Sequence, residues 1–419
     1  MAERRRPVAG PAARPTPGAL TASVAGPLWR ARALATPWWV VALLIWAASR
    51  VLTTTLVVLA AALQAPNAWT GARPAYAAFA GMWDGHWYNI VAVVGYPTVL
   101  PVTDGGEMGE NAWAFMPGYP ALVRLLMELT GQPWPPTAVV VSVAFSAGTA
   151  LLFGALMRRV LPAPTAMFAV LLFCVAPLSP LLQFAYAESM NLFFLTLALL
   201  LLLQRRYAVL FPVIAVMALT RPTGLAFALA LALHVGVRFA TRQRDPFPPR
   251  ERMLAASVAV FSGVMGLAWP IAAWARTGDL TAYTDTELAW RAPYIGYQEL
   301  IPFTAWFQSG GWWLGQPLGT LVVITLILGF AMLLFTPAVR RLGVDLRLWV
   351  ASYGLYLLAV FFPQSSVFRL LMPMFPLLGA AAVPRNRLYR VALVALCVLG
   401  QWGWLLLFWR VDGADWTPP

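Results

Sequence analysis

Long apolar runs recur along the whole chain and alternate with short polar segments. The first run extends from Pro37 to about Leu63, and the later runs approach the 20 or so residues that cross a bilayer as a helix. By this criterion we place further spans at about 138–158, 164–183, 189–204, 207–220, 223–240, 253–275, 318–338, 347–363, 370–384 and 389–409. The pattern predicts an all-α, polytopic membrane protein with about eleven transmembrane helices.

Composition agrees with this pattern and excludes several classes of protein. The chain is 60% hydrophobic with a mean hydropathy of +0.71, above the usual range of soluble domains. Short alternating segments typical of a β-barrel are missing from the sequence. The formal charge is +13 and every basic residue is arginine, but these arginines lie in short loops between apolar runs, as orientation signals do. We therefore expect contact with membrane lipid and no nucleic-acid partner.

The arginines predict the orientation of the chain. With a cytoplasmic N-terminus, the arginine clusters of the loops fall on the cytoplasmic side and nearly all acids on the outer side. We divide the chain into a disordered Arg/Pro/Ala-rich cytoplasmic tail (1–34), a transmembrane domain (35–410) and a short C-terminal tail (411–419). The predicted location is a plasma membrane of bacterial type, because the heavy arginine usage and short loops are typical of bacteria.

Two outer segments are long, 64–137 and 276–317. The first contains an amphipathic helix at about 118–130, which we expect to lie in the membrane interface. The second is rich in aromatic residues. Such a segment is either an interfacial anchor or a surface that contacts sugar or lipid, and the residues alone leave both readings open.

The first outer segment carries the strongest candidate for chemistry, Asp84, within the run from Trp83 to Tyr88. An acid between bulky aromatics beside a membrane is costly to desolvate, so we interpret Asp84 as a catalytic base, with a helix cap or a salt-bridged loop acid as the alternatives. Trp83, Trp87 and Tyr88 can form flat walls for sugar rings and shield the acid. His86 can hydrogen-bond Asp84 or a substrate hydroxyl, or be an interfacial polar residue.

Three further charged residues lie near predicted outer span ends. Glu188 could bind acceptor hydroxyls or pair with Arg221. Arg221 and Arg369 face outward against the general arginine bias, and each could bind phosphate, snorkel or pair with an acid. Inside the apolar runs, we expect Arg50 to face the protein interior and His234 to be a packing residue. With only two histidines and two cysteines, and without a P-loop or dinucleotide glycine pattern, we predict neither a metal site nor a nucleotide cofactor.

Taken together, these segments resemble the PIG-V family of membrane mannosyltransferases in the GT-C superfamily, particularly its bacterial members. The resemblance is carried by Trp83-Asp84-Gly85-His86-Trp87-Tyr88, Gly95-Tyr96-Pro97, Phe115 to Arg124, Tyr186-Ala187-Glu188-Ser189, Thr220-Arg221-Pro222-Thr223-Gly224, and Phe368-Arg369 with Pro373. It implies that Asp84 matches the catalytic aspartate of the first outer loop and that the donor is polyprenyl-phosphate mannose. The acceptor, whether glycolipid, glycan or protein, stays open.

The residues are compatible with an inverting transfer of a mannosyl or other hexosyl group at the outer face. A lipid phosphate is a good leaving group, so one base and one phosphate-binding cation can suffice, in contrast to the paired carboxyls of most glycosidases. A flippase or transporter of lipid-linked glycans would also need outer arginines and a lipid groove. A non-catalytic membrane subunit is the remaining alternative.

Overall fold

The computed structural model describes residues 36–411, and every helix below lies in the unit of the chain that begins at Trp38. The predicted N-terminal tail (1–34) lies outside the described residues, as does the C-terminal tail (411–419) apart from Val411. Within 36–411 the secondary structure is helical, and the β-pairing is limited to an isolated bridge between Val102 and Met108. The predicted all-α membrane architecture is thus confirmed at the level of helical class.

The described chain forms α-helices of very different lengths, separated by turns and loops that include short 3₁₀ segments. In chain order these helices are α1 Trp38–Ala62, α2 Tyr76–Ala80, α3 Asp84–Val93, α4 Gly118–Thr130, α5 Trp134–Val160, α6 Ala163–Val175, α7 Glu188–Leu203, α8 Tyr207–Ala218, α9 Gly224–Ala240, α10 Pro249–Thr277, α11 Ala282–Ala289, α12 Ala292–Ile295, α13 Ala305–Leu314, α14 Leu318–Leu334, α15 Pro337–Arg340, α16 Val344–Val360, α17 Val367–Leu370, α18 Leu377–Ala381 and α19 Arg387–Trp404.

Four helical segments are long and apolar enough to cross a membrane. They are α1, α5, α10, and α19 together with the π-helical turn Leu405–Trp409 that continues it. The apolar helices α6, α7, α8, α9 and α14 are shorter, with 10–17 residues each. Because a residue adds about 1.5 Å, a helix of this length falls short of, or barely reaches, the roughly 30 Å hydrocarbon core. The structure therefore supports a membrane protein with several spanning helices.

Two of the predicted spans are wrong as continuous helices. The predicted span 164–183 ends as an α-helix at Val175 and continues as the 3₁₀ turn Ser179–Gln183. The predicted span 370–384 is broken into α17, the 3₁₀ turn Met372–Met374 and α18. Both stretches contain prolines, which remove a helical hydrogen bond and clash with the preceding turn. The predicted amphipathic helix at 118–130 is confirmed as α4.

The centre of the bundle is formed by close helix pairs. Helix α9 packs against α10 and α16, α5 packs against α7, and α1 packs against α5 and α6. The α9–α10 crossing is tight because Gly224 faces Gly266: a Cβ on Gly224 would lie 2.8 Å from the Gly266 Cα. This approach places the start of α9, and hence the turn that precedes it, directly against the middle of α10.

Arg50 faces the protein interior, as predicted, and its hydrogen-bond partners are neutral. Its guanidinium donates to the carbonyls of Cys174 (2.7 Å) and Ser179 (2.9 Å) and to the side-chain oxygen of Gln183 (3.1 Å). These acceptors surround the break between α6 and the 3₁₀ turn Ser179–Gln183, where the helix leaves carbonyls without partners. Without Arg50, the carbonyl groups at this buried helix end would lack donors. The Arg50 guanidinium therefore stabilises the end of α6 by supplying them.

A second polar network joins helices α8, α9, α10 and α16. His234 hydrogen-bonds Tyr207 (2.9 Å) and Asp345 (2.7 Å), and Arg238 pairs with Glu251 (2.8 Å). His234 is buried, as expected of a packing residue, and it also takes part in polar contacts that the sequence did not predict. Its ring is almost completely buried, but both nitrogens find polar partners on neighbouring helices, as burial of an imidazole requires.

We predict that Arg50→Met destabilises the protein. The substitution leaves buried carbonyls without a donor, and each such group costs about 1–3 kcal/mol, so the free energy of unfolding should fall by about 2–5 kcal/mol. Thermal unfolding of the purified protein in detergent measures this loss. Arg206→Met, at an exposed position, is the matched control and should have little effect. Equal stability of the two variants would contradict the assigned role.

Candidate functional site

Asp84 begins α3 at a sharp bend of the backbone. Trp83, directly before it, has a φ of 57° and a ψ of −126°, a conformation that costs energy for a residue with a Cβ. Two contacts hold this bend: the Trp83 indole donates to the Trp409 carbonyl (2.7 Å), and the Asp84 backbone N–H donates to the Tyr186 hydroxyl (3.0 Å). Contacts with residues outside α3 therefore fix the position of Asp84.

Four charged side chains meet at this bend. Asp84 forms an ion pair and hydrogen bond with Arg369, which is 285 residues away in the chain. Glu188 lies between the two arginines, 3.3 Å from the Arg221 Nη2 and 3.6 Å from the Arg369 Nε. We call these four residues the charged cluster. Two carboxylates and two guanidinium groups bring its formal charge to zero.

The carboxylate of Glu188 is the least well satisfied member of the charged cluster. Only 4% of the residue is exposed, and neither of its oxygens has a hydrogen-bond partner among the described residues. The Nε of Arg369 is also buried without a partner. Buried charges normally combine pairing with hydrogen bonds, because desolvation is otherwise uncompensated. An acid and a cation of the charged cluster therefore each have hydrogen-bonding positions that no described residue fills.

Local contacts explain how Glu188 meets Arg221. Glu188 and Asn191 are three residues apart on α7 and so share one helix face. The Asn191 amide donates to the Thr223 hydroxyl and to the Met217 carbonyl, both at 3.3 Å. The turn that carries Arg221 is thereby fastened to the helix that carries Glu188.

Arg369 is positioned by contacts between its short helix and α16. The Tyr353 hydroxyl donates to the Leu370 carbonyl, and the Trp349 indole donates to the Pro373 carbonyl, both at 2.8 Å. The broken segment 367–381 thus has its free backbone groups paired with side chains of a continuous helix. The break that excludes a regular span here is what brings the Arg369 guanidinium to Asp84.

Gly118 fixes the remaining wall of the Arg221 turn. Its backbone N–H donates to the Leu219 carbonyl (2.7 Å), and a Cβ at this position would lie 2.8 Å from both that oxygen and the Thr220 hydroxyl. Only glycine permits so close an approach of two backbones. The segment from Phe115 to Arg124 therefore acts on the site through the backbone of residues 219–220.

The charged cluster borders a cavity of about 440 Å³. This volume lies within the range usual for small-molecule sites, which are largely apolar with a few convergent polar groups. One part of the lining is apolar and includes Leu225 and Leu267, which are also exposed on the outer surface of the bundle. The polar lining comprises Asp84, Glu188, Asn191, Arg221, Tyr283, Glu287, Arg291, Tyr353, Tyr356, Gln364, Ser366 and Arg369.

The structure brings together four of the residues predicted from sequence and separates the others from the cavity. Asp84, Glu188, Arg221 and Arg369 all line it. The aromatic neighbours of Asp84 support the site from behind: Tyr88 accepts a hydrogen bond from Arg221 (3.3 Å), Trp87 stacks on Phe115, and Trp83 packs against Trp69. His86 is exposed on the far side of α3 and does not line the cavity.

The ion-pair alternatives predicted from sequence are also present. Asp84 is ion-paired, although the cap position of its helix is Trp83, and Arg221 and Arg369 both have acid partners. Each of these side chains also faces the cavity, so pairing accounts for their charge balance but leaves a binding role open. Charge pairing and ligand binding are compatible when the ligand carries a charge that can replace one partner.

The charged residues of the second outer segment that line the cavity were not predicted, although sugar or lipid contact was one reading of its aromatic residues. Tyr283, Glu287 and Arg291 follow one another at intervals of four, on one face of α11 and its C-terminal turn. Trp290 lies beside them and makes edge contacts with Trp87 and Phe115. Helical spacing of an acid, an arginine and a tyrosine was visible in the sequence, but nothing indicated which face of the helix would meet Asp84.

Electrostatics differ between the two sides of the cavity. Burial raises the pKa of Glu287, and the opposing effects of Arg291, of a hydrogen bond to Tyr283 and of Arg221 are smaller. For Arg369, burial would lower the pKa, but Asp84 and Glu188 together raise the pKa above its ordinary value. Both arginines of the charged cluster are therefore permanent cations, whereas Glu287 holds its proton more tightly than a solvated glutamate.

Within residues 36–411 no group of three or more histidine, cysteine, aspartate or glutamate side chains is arranged to hold a metal ion. A scan of protein-family models returns no match for the chain, and a search of curated proteins finds no relative of it.

We predict that Gly118→Ala disturbs the site from a distance. The new Cβ would meet the backbone of Leu219 as well as the Thr220 hydroxyl, so the 219–220 turn must shift, at a cost of about 1–3 kcal/mol. Thermal unfolding in detergent measures the loss. Gly236→Ala is the matched control, because a Cβ there meets nothing within 4 Å and alanine favours a helix. A Gly118→Ala protein as stable as that control would refute the close-packing argument.

We also predict that Glu287→Gln changes how stability depends on pH. A carboxyl with a raised folded-state pKa binds its proton more tightly in the folded protein, so wild-type stability declines as pH rises from the ordinary value through the raised one. Glutamine removes that decline. The thermal midpoints of the two proteins should be similar at low pH, with the variant becoming the more stable as pH increases. A variant that loses stability relative to wild type as pH rises would give the opposite sign.

Proposed function

We propose that this protein is an inverting membrane glycosyltransferase that moves a mannosyl or other hexosyl group from a polyprenyl phosphate to an acceptor hydroxyl. The observation that supports it most directly is the ion pair of Asp84 with Arg369, next to that of Glu188 with Arg221, at a cavity in an apolar helix bundle. We further propose membership of the PIG-V-like mannosyltransferases of the GT-C superfamily. That assignment rests on the sequence segments that converge on this cavity.

The two arginines suit the phosphate of such a donor. Guanidinium groups match phosphate oxygens in geometry and stay charged when buried. The adjoining apolar lining, which includes the outward-exposed Leu225 and Leu267, suits a prenyl chain that reaches the site from the membrane.

The ion pair between Asp84 and Arg369 adds a step to this mechanism. A carboxylate held by a guanidinium is a poor acceptor for a substrate proton. The charged cluster is formally neutral, so a donor phosphodiester brings one uncompensated negative charge into it. We propose that this phosphate replaces Asp84 as the partner of Arg369. Donor binding then releases the base, and Asp84 becomes free only when a donor is present to react.

The transfer itself needs one base and one leaving group. The acceptor oxygen forms a bond to the anomeric carbon as its proton passes to an Asp84 carboxylate oxygen. The bond between the anomeric carbon and the phosphate oxygen breaks on the opposite face, and polyprenyl phosphate departs with that electron pair. Attack from the opposite face inverts the anomeric configuration. Arg369 and Arg221 stabilise the negative charge that develops on the phosphate.

We place the active site on the outer face of a plasma membrane of bacterial type, with about eleven spans and a cytoplasmic N-terminus. The separation of charges along α9 supports this orientation. Arg221 precedes the helix and Arg238 lies near its end, about 24 Å away, and no residue from Pro222 to Leu233 is ionisable. The remaining arginine-rich loops fall at the Arg238 end in this arrangement, as positive-inside topology requires.

The direct experiment incubates the purified full chain in liposomes with polyprenyl-phosphate mannose, radiolabelled in the sugar, and cell-envelope lipids. Appearance of label in a new glycolipid, glycan or protein supports the transferase. Movement of the donor between leaflets without a new glycosidic bond would instead identify a flippase. The absence of both would leave the non-catalytic subunit and refute the enzyme.

We predict that Asp84→Asn abolishes transfer and preserves donor binding. Loss of a positioned base should lower the rate by at least about 10²–10⁴-fold. The affinity for polyprenyl phosphate should be unchanged or higher, because Arg369 no longer has a charged competitor. Rates of label transfer and equilibrium binding of labelled lipid measure the two effects. Asp104→Asn, an exposed aspartate of the same outer segment, serves as the control. Full transfer activity in Asp84→Asn would remove this residue from the mechanism.

A further inference from the structure

The cavity has a second polar wall that the proposed transfer does not use. It is formed by α11 and the turn that follows it, together with the segment before α17. Its members are Tyr283, Glu287, Trp290, Arg291 and Gln364, and we call them the second wall. Their side chains line the same space as the charged cluster but belong to chain segments that carry neither Asp84 nor a phosphate-binding arginine.

Two polar atoms of the second wall are buried without a hydrogen-bond partner among the described residues. They are the Trp290 Nε1, a donor, and the Gln364 Oε1, an acceptor. A buried polar group left unpaired costs about 1–3 kcal/mol, so such groups need an explanation where they occur. Both residues line the cavity, and the two orphans have opposite character, so a ligand that accepts and donates hydrogen bonds would pair them once the side chains turn toward it.

The carboxyl of Glu287 adds a stronger acceptor to this wall. Arg291 lies close enough to oppose the effect of burial on the Glu287 pKa, and the Arg291 guanidinium is itself anchored by the carbonyl of Val360. Arg221 and Asp84 also influence the Glu287 pKa. The acid is therefore held in place by its own helix and lies within electrostatic range of the charged cluster.

The chemistry of the second wall discriminates between ligand classes. A prenyl or acyl chain would leave the Trp290 donor and the Gln364 acceptor unpaired. A second phosphate would face the Glu287 carboxyl, which repels it when ionised. A ring carrying several hydroxyls satisfies all three groups, because each hydroxyl can donate and accept, and its apolar faces tolerate aromatic neighbours.

We infer that Glu287, Trp290 and Gln364 form a subsite that binds the hydroxyl groups of a hexopyranose ring next to the reacting carbon. This inference rests on the proposed transferase function and identifies the residues that would select the sugar. The ring can belong to either the donor or the acceptor, since both must be present at the moment of transfer. Glu287 and Trp290 are specificity residues in this scheme and take no part in proton transfer.

The test compares two lipids that differ only in the sugar. Binding of polyprenyl-phosphate mannose and of the same polyprenyl phosphate without sugar is measured on the full chain in lipid nanodiscs. For a donor subsite, Glu287→Gln and Trp290→Phe should each weaken the sugar-bearing lipid about tenfold and leave the sugar-free lipid unchanged. Arg221→Gln should weaken both lipids. Glu299→Gln, at an exposed position of the same outer segment, should change neither.

A transfer assay separates the two sources of the sugar. If the subsite belongs to the acceptor, both lipids bind the variants as they bind the wild type, and the KM for envelope-lipid acceptors rises about tenfold instead. Unchanged donor binding and unchanged acceptor KM in both variants would overturn the subsite, as would equal weakening of the two lipids. A wild-type protein that transfers no hexose would refute the enzyme itself, and the subsite with it. The failures of the two proposals are thus distinguishable.

Discussion

The ion pair between Asp84 and Arg369 is the interaction on which the arrangement of the site depends. It joins residues from near the two ends of the described chain and is largely buried, with 13% and 11% of the two side chains exposed. Neither charge could occupy this position alone, because removing one partner of a buried pair leaves an uncompensated charge that costs several kcal/mol. The bend at Trp83 and the broken segment at 367–381 are both local departures from regular helix that this pairing requires.

The same interaction limits what the site can do before a ligand arrives. Two carboxylates and two arginines balance one another, so the charged cluster has no net attraction for a neutral sugar but can accept an anion by exchanging partners. The Arg369 Nε and the Glu188 oxygens have no hydrogen-bond partner among the described residues. The proposed exchange would therefore begin from a network in which some hydrogen-bonding positions are unfilled. In this scheme Glu188 keeps both cations in place while Asp84 is released, so its function is to position the arginines rather than to bind an acceptor.

The sequence allowed prediction of the helical class and of four charged residues that line the cavity, and poor prediction of their geometry. Hydrophobic runs predicted helices, and unusual charges in outer turns predicted Asp84, Glu188, Arg221 and Arg369, because a buried charge stands out in an apolar chain. The pairing of Glu188 with Arg221 was one of the predicted alternatives, but that of Asp84 with Arg369 could not be read from the sequence, since these partners are 285 residues apart. The exposure of His86 follows from its place on α3, where two residues separate side chains by about 200° around the helix and so direct it away from Asp84.

The second wall was missed for a related physical reason. Glu287 and Arg291 lie in a segment that contains several acids and aromatics. In an aqueous loop a charged side chain has no desolvation cost, so its presence there does not indicate a function. Their significance arises only when α11 folds back over the cavity and removes them from water. The charges that the sequence revealed are those beside apolar spans, where solvation is poor in any conformation. The charges that could not be recognised from the sequence become buried only through tertiary contacts. In this cavity they belong to the second wall, which we propose binds a sugar.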